Sequence, residues 1–77
     1  MRLKSLLILL VEEFGIVDPI EFVELRSLGD EKWAIVRWPI GVDKRAADRR
    51  LETKYKLVPD PPSMFNFGPY TTAYRIR

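Results

Sequence analysis

The 77-residue chain contains no cysteine, no histidine and no glutamine, and its single asparagine is Asn66. Without cysteine no disulfide can restrain the unfolded chain, and without cysteine or histidine the usual ligands of a structural zinc are missing. A domain of this size buries only about 60% of the surface that its unfolded chain exposes. Its stability must therefore come from a dense aliphatic core, from ion pairs or from burial against a partner. The same absences remove most catalytic chemistry. No thiol or imidazole can act as nucleophile or base. Ser5, Ser27 and Ser63 lie in no recognisable motif, and the four glycines are too scattered to form a phosphate loop. Glu12 and Glu13 are adjacent, so on a helix they point apart and share neither proton nor metal. The expectation is a non-enzymatic domain without metal or cofactor.

A long apolar run is also missing. Leu6 to Val11 is six residues long and runs directly into Glu12 and Glu13. A membrane span needs about 20 apolar residues, and no small-residue cleavage site follows. The segment reads as core, and the chain as one cytoplasmic domain covering residues 1–77, consistent with a reducing compartment.

What is present is hydrophobic (47%) and charged (31%) in proportions that, with so few thermolabile side chains, match thermophilic proteins. Residues 1–40 carry five basic and seven acidic side chains, a balance of −2; residues 41–77 carry eight and four, a balance of +4. That asymmetry is the footprint of a polyanion-binding face, or simply of a solvated surface.

Leu3, Leu7, Leu10 and Phe14 share a helical face that Leu6 and Val11 widen, and Gly15 stands at the C-cap. Asp18-Pro19-Ile20-Glu21 carries the marks of a second helix start, with Leu28-Gly29 as its end. Trp33 to Trp38 is rich in strand formers and closed by Pro39, which favours strand over a short helix capped by Asp30. Asp43 predicts an N-cap for a charged helix from Lys44 to about Tyr55, with Ala47, Leu51 and Tyr55 as its apolar stripe. Lys44–Asp48 and Glu52–Lys56 have ion-pair spacing on it. Tyr70 to Arg77 alternates as a strand, and Leu57-Val58-Pro59 is its natural hairpin partner across a loop containing Pro61 and Pro62. Trp33 and Trp38 read as core or interface aromatics, and Tyr70 and Tyr74 as strand residues packing on the first helix.

From Ile40 the order is turn, basic helix, short strand, long loop and basic strand. With Ile40-Gly41-Val42-Asp43 as turn, Lys44–Tyr55 as reading helix, and 56–58 and 71–76 as wing strands, it resembles the second half of a winged helix-turn-helix domain. The resemblance implies an α+β fold, a small helical domain with a C-terminal β-hairpin. It also implies a homodimeric transcriptional regulator bound to double-stranded DNA. Lys44, Arg45, Asp48, Arg49 and Arg50 would lie along the groove, and Arg75 and Arg77 on the wing would meet phosphates. Asn66, near the wing tip, is a turn former or a minor-groove reader. A lesser assignment takes Leu28-Gly29-Asp30 as the turn and residues 31–38 as the reading helix, with Lys32 and Arg37 facing DNA.

Two other classes compete. If Leu6–Val11, Trp33–Trp38 and Thr71–Ile76 are all strands, a βαβαβ sheet would stack RNA bases on its aromatics. Alternatively the domain is a protein–protein adaptor anchored by Phe65 and Phe67.

Overall fold

The computed structural model describes residues 1–59 and 68–77. Helix α1 (Leu3–Phe14) is followed by a 3-10 turn (Pro19–Phe22), strands β1 (Val23–Leu28) and β2 (Glu31–Arg37), helix α2 (Lys44–Tyr55) and strand β3 (Thr71–Ile76). The result is a small α+β domain with a three-stranded antiparallel sheet in the order β1-β2-β3. Among the described residues no helix is long and apolar enough to cross a membrane.

Both helices run where their sequence signals predict. Gly15 ends α1 in the left-handed region (φ 64°), its N–H bonded to the carbonyl of Val11. Asp43 caps α2, its carboxylate accepting the Arg45 N–H at 3.1 Å. The end of α2 copies that of α1, but here Lys56 takes the left-handed conformation (φ 59°), at a cost of about 1 kcal/mol for a residue with a Cβ. After each helix a hydrophobic residue, Ile16 or Leu57, donates its N–H back into the last turn. Of the two ion pairs with helical spacing, Lys44–Asp48 forms at 3.2 Å. Glu52–Lys56 is not among the pairs of the described residues, since Lys56 has already left the helix.

The expected second helix, from Asp18 to Leu28, is replaced by a single 3-10 turn and a strand. The Asp18 side chain makes no capping bond, and Pro19 starts only four helical residues. Tertiary pairing then wins, because Val23–Leu28 lies antiparallel to Glu31–Val36 with Leu28 opposite Glu31. Gly29 and Asp30 form the two-residue turn between them, with Gly29 at φ 59° in the first central position, where hairpin turns favour glycine. Leu28-Gly29-Asp30 is thus neither a helix end nor the turn before a reading helix, and residues 31–37 are strand.

The C-terminal hairpin is corrected as well. β3 pairs with β2, from Lys32 opposite Ile76 to Arg37 opposite Thr71, and not with residues 57–59, which form no strand. The Trp38 N–H extends this ladder to the Tyr70 carbonyl at 2.8 Å. β2 is therefore the central strand, and its Trp33, Ala34, Ile35 and Val36 are buried on both faces. That burial is what a run of consecutive apolar residues demands.

Alternation divides the sheet. One face carries Ala34, Val36, Tyr74 and Ile76 into the main core, with Leu6, Leu9 and Leu10 of α1, Ala47 and Leu51 of α2, and Trp38. The other carries Trp33, Ile35 and Ala73, with Leu28 packed beside them. Trp33 and Trp38 are core residues, as their composition suggests. Tyr74 is fully buried in the core shared by both helices, its hydroxyl bonded to Asp48 of α2, whereas Tyr70 is exposed. Val11, expected in the buried stripe of α1, is 44% exposed; Leu9 takes that place. The βαβαβ order fails at its first element, since Leu6–Val11 is helical, and the aromatics Trp33 and Trp38 are buried.

Candidate nucleic-acid interface

Helix α2 lies on the core through Ala47 and Leu51 and turns its opposite side to solvent. The seven basic and acidic residues expected to contact DNA divide into three groups. Arg45 and Arg49 project from the outward side of α2, both exposed, and neither forms an ion pair among the described residues. Lys56, the left-handed residue at the end of the helix, is also exposed. Ala46 and Thr53 border the two arginines on one side, and Lys44 and Asp48 on the other. Glu52 is the one exposed acid among them.

Asp48, Lys44 and Arg50 are committed elsewhere. Asp48 turns inward, its side chain 15% exposed. One oxygen accepts the Tyr74 hydroxyl at 2.6 Å; the other accepts Lys44 Nζ and Thr72 Oγ1, each at 3.2 Å. Thr72 Oγ1 in turn accepts the Trp38 indole N–H at 2.9 Å. This chain ties α2 to β3 and to the end of β2. Burial, reinforced by the hydrogen bond to Asp48, pushes the Tyr74 phenol above its ordinary value. Asp48 therefore faces the sheet and not a groove, because it borders the Ala47–Leu51 stripe and meets the Thr72 and Tyr74 hydroxyls of β3.

Arg50 folds back on α1. Its guanidinium donates to the Glu13 carbonyl at 3.0 Å and lies 5.6 Å from the centre of the Phe14 ring. Phe14 in turn packs edge-on against Trp38 at 5.2 Å between centroids.

Arg75 and Arg77 do not join the α2 residues. Arg75 alternates with Tyr74 and so lies on the sheet face that α2 does not cover, paired with Glu31 at 2.8 Å. Arg77 follows the strand; its backbone N–H donates to the Met1 carbonyl at 2.8 Å. A helix on one face and an arginine on the other cannot straddle one groove as a reading helix and wing would. Lys32 and Arg37 are exposed strand residues, and Arg37 is held against Phe22 and the Glu21 carbonyl. Asn66, Phe65 and Phe67 lie outside the described residues.

A second polar cluster fixes α2 relative to α1. The Glu13 carboxylate, 12% exposed, accepts Lys54 Nζ at 2.6 Å and also the Tyr55 hydroxyl. The bond from Lys54, then that from Tyr55, holds the Glu13 carboxyl below its ordinary value of 4.5. In the acid range the unfolded chain then binds more protons than the folded one. The contribution is complete above that ordinary value and lost as pH falls through the lower, folded value. Lys54 and Tyr55 are both raised, chiefly by the Glu13 bond. Their contribution is complete below the ordinary values of 10.5 and 10.0 and lost as pH rises through the folded ones. Glu13→Gln is expected to flatten the fall in melting temperature between about pH 5 and 3. An unchanged acid limb in this variant would assign the sensitivity to other carboxylates.

Sequence reasoning missed two features. Lys56 reads from the sequence as an ion-pair partner of Glu52 until the left-handed helix end is seen. The inward turn of Asp48 had no local signal beyond its place beside Ala47. No protein-family model matches the chain, and neither a curated protein nor a solved structure matches it significantly.

Proposed function

We propose that this domain binds double-stranded DNA through the outward side of α2, in the manner of a small transcriptional regulator. The observation that carries the reading is the pair Arg45 and Arg49 on the outward side of α2, with Lys56 exposed at its end: three exposed cations, none in an ion pair among the described residues. The other basic residues of α2 have structural partners, namely Asp48 for Lys44 and Glu13 for Arg50 and Lys54. Cations left unpaired on a rigid helix are available to phosphates, and releasing the DNA counterions supplies the affinity.

The winged helix-turn-helix reading is retained for the capped helix and the Gly41–Asp43 turn before it. Its wing has no support from residues 57–59 or from Arg75. Binding is accordingly assigned to α2 alone, with phosphate contacts prominent and base contacts confined to its N-terminal half.

Titration of a labelled duplex, followed by anisotropy at two salt concentrations, tests this. The expected outcome is binding at low salt that weakens steeply as salt rises, with a slope of about −0.9 per phosphate contacted. Absence of binding to any duplex at low salt rejects the reading.

A further inference from the structure

We propose that α1 is the surface through which two copies of this chain form a two-fold symmetric dimer. This inference is independent of DNA binding and rests on the side of α1 turned away from the core. Leu6, Leu9 and Leu10 are buried, yet Ile8 and Val11 on the other side remain 46% and 44% exposed. With Leu3, Leu7 and Pro19 they line an apolar groove of about 440 Å³, rimmed by Lys4 and Glu12. Ile20, directly after Pro19, and Leu25 on edge strand β1 are exposed too. Five of the eight large hydrophobic residues exposed in the described chain thus belong to α1 and the segment leading into and along β1. Water-exposed apolar surface concentrated in this way marks an interaction site.

The arrangement of charge selects a second copy as the occupant. Lys4 lies four positions before Ile8 and Glu12 four positions after it, and both are exposed without an ion-pair partner among the described residues. Laying α1 antiparallel to itself about a two-fold axis at Ile8 brings Lys4 level with Glu12 of the second copy, and Glu12 with its Lys4. Ile8 then meets Ile8, and the small Ser5 faces Val11. A two-fold interface requires this self-complementarity, in which each contact occurs twice. A parallel approach would instead bring like charges together. An anionic membrane would favour a basic rim, whereas this rim is one cation and one anion. The exposed ion pairs set orientation and register and contribute little affinity. Affinity comes from the apolar surface. α1 is about 18 Å long, and Ile20 and Leu25 extend its surface toward the roughly 1,000 Å² that a specific interface requires.

Sedimentation velocity over a range of protein concentrations tests the proposal. The wild-type chain is expected to show a monomer–dimer equilibrium. Lys4→Glu and Glu12→Lys, each alone, place like charges at both contacts and are expected to raise the dimer Kd about tenfold, a change of about 1.4 kcal/mol. Mixing the two variants in equal amounts restores opposite charges at both contacts, and a heterodimer of near wild-type affinity is expected. Ile8→Glu is expected to be monomeric. All three positions of change are exposed, and a circular dichroism melt of each variant confirms that it folds. A wild-type chain that stays monomeric overturns the proposal, as does a dimer unaffected by the charge reversals and by Ile8→Glu.

Discussion

Replacing Asp48 by alanine is expected to lower the stability of the domain by about 3 kcal/mol, read from urea unfolding. The carboxylate accepts three hydrogen bonds, from Tyr74, Thr72 and Lys44. Tyr74 is fully buried, so its hydroxyl would lose its partner with no water to replace it, and the desolvation cost of an unpaired donor then adds to the lost bond. A 77-residue domain has a total stability of roughly 4–12 kcal/mol, and Asp48→Ala would remove a large part of it. Tyr74→Phe deletes the donor and leaves the acceptor with two partners, so a smaller loss of about 1–2 kcal/mol is expected. If Asp48 instead faced DNA, alanine would change duplex binding and leave unfolding within about 0.5 kcal/mol of wild type. That result would contradict the inward geometry.

The second large effect concerns binding. Replacing Arg45 and Arg49 together by alanine is expected to reduce the slope of log K against log salt by about 2 and to weaken low-salt binding about tenfold or more. Both side chains are exposed and form no ion pair among the described residues, so stability should stay close to wild type. Arg75→Ala is the matched control. It removes the same charge from the opposite sheet face, where Arg75 already pairs with Glu31, and is expected to leave the slope unchanged. Equal losses from Arg75→Ala and from the α2 pair would point to diffuse attraction between a basic chain and a polyanion. That outcome would reject a site on α2.

How much of this could be read from the sequence depended on how local each signal was. Both helices were legible because stripe, cap and stop lie within one segment: Leu3 to Gly15, and Asp43 to Tyr55. β2 was legible from its run of strand formers between Asp30 and Pro39. β1 was not, since Asp18-Pro19 does start helical turns and only pairing with β2 decides that they stop after four residues. Gly29-Asp30 reads equally well as a helix end and as a hairpin turn until the second strand is known to return. For β3 the strand itself was legible but its partner was not, because Leu57–Pro59 is nearer in sequence than β2. That error carried over to the site. It placed Arg75 beside α2 and hid the two hydroxyl groups that turn Asp48 inward, while Arg45 and Arg49, fixed by the helix alone, were assigned correctly to its exposed side.

The pairing of β3 with β2 also has a consequence for how the chain folds. β1 and β2 are joined by two residues, whereas 33 residues separate Arg37 from its partner Thr71. Closing the longer connection costs roughly 2–3 kcal/mol more chain entropy than closing the shorter. The hairpin can therefore form on its own account, but the third strand needs contacts that offset the cost as it arrives. Those contacts are Tyr74 and Thr72 on Asp48, and Trp38 on Thr72, all gathered at one point of α2. The helix proposed to meet DNA on its outer side is, on its inner side, the latch that completes the sheet.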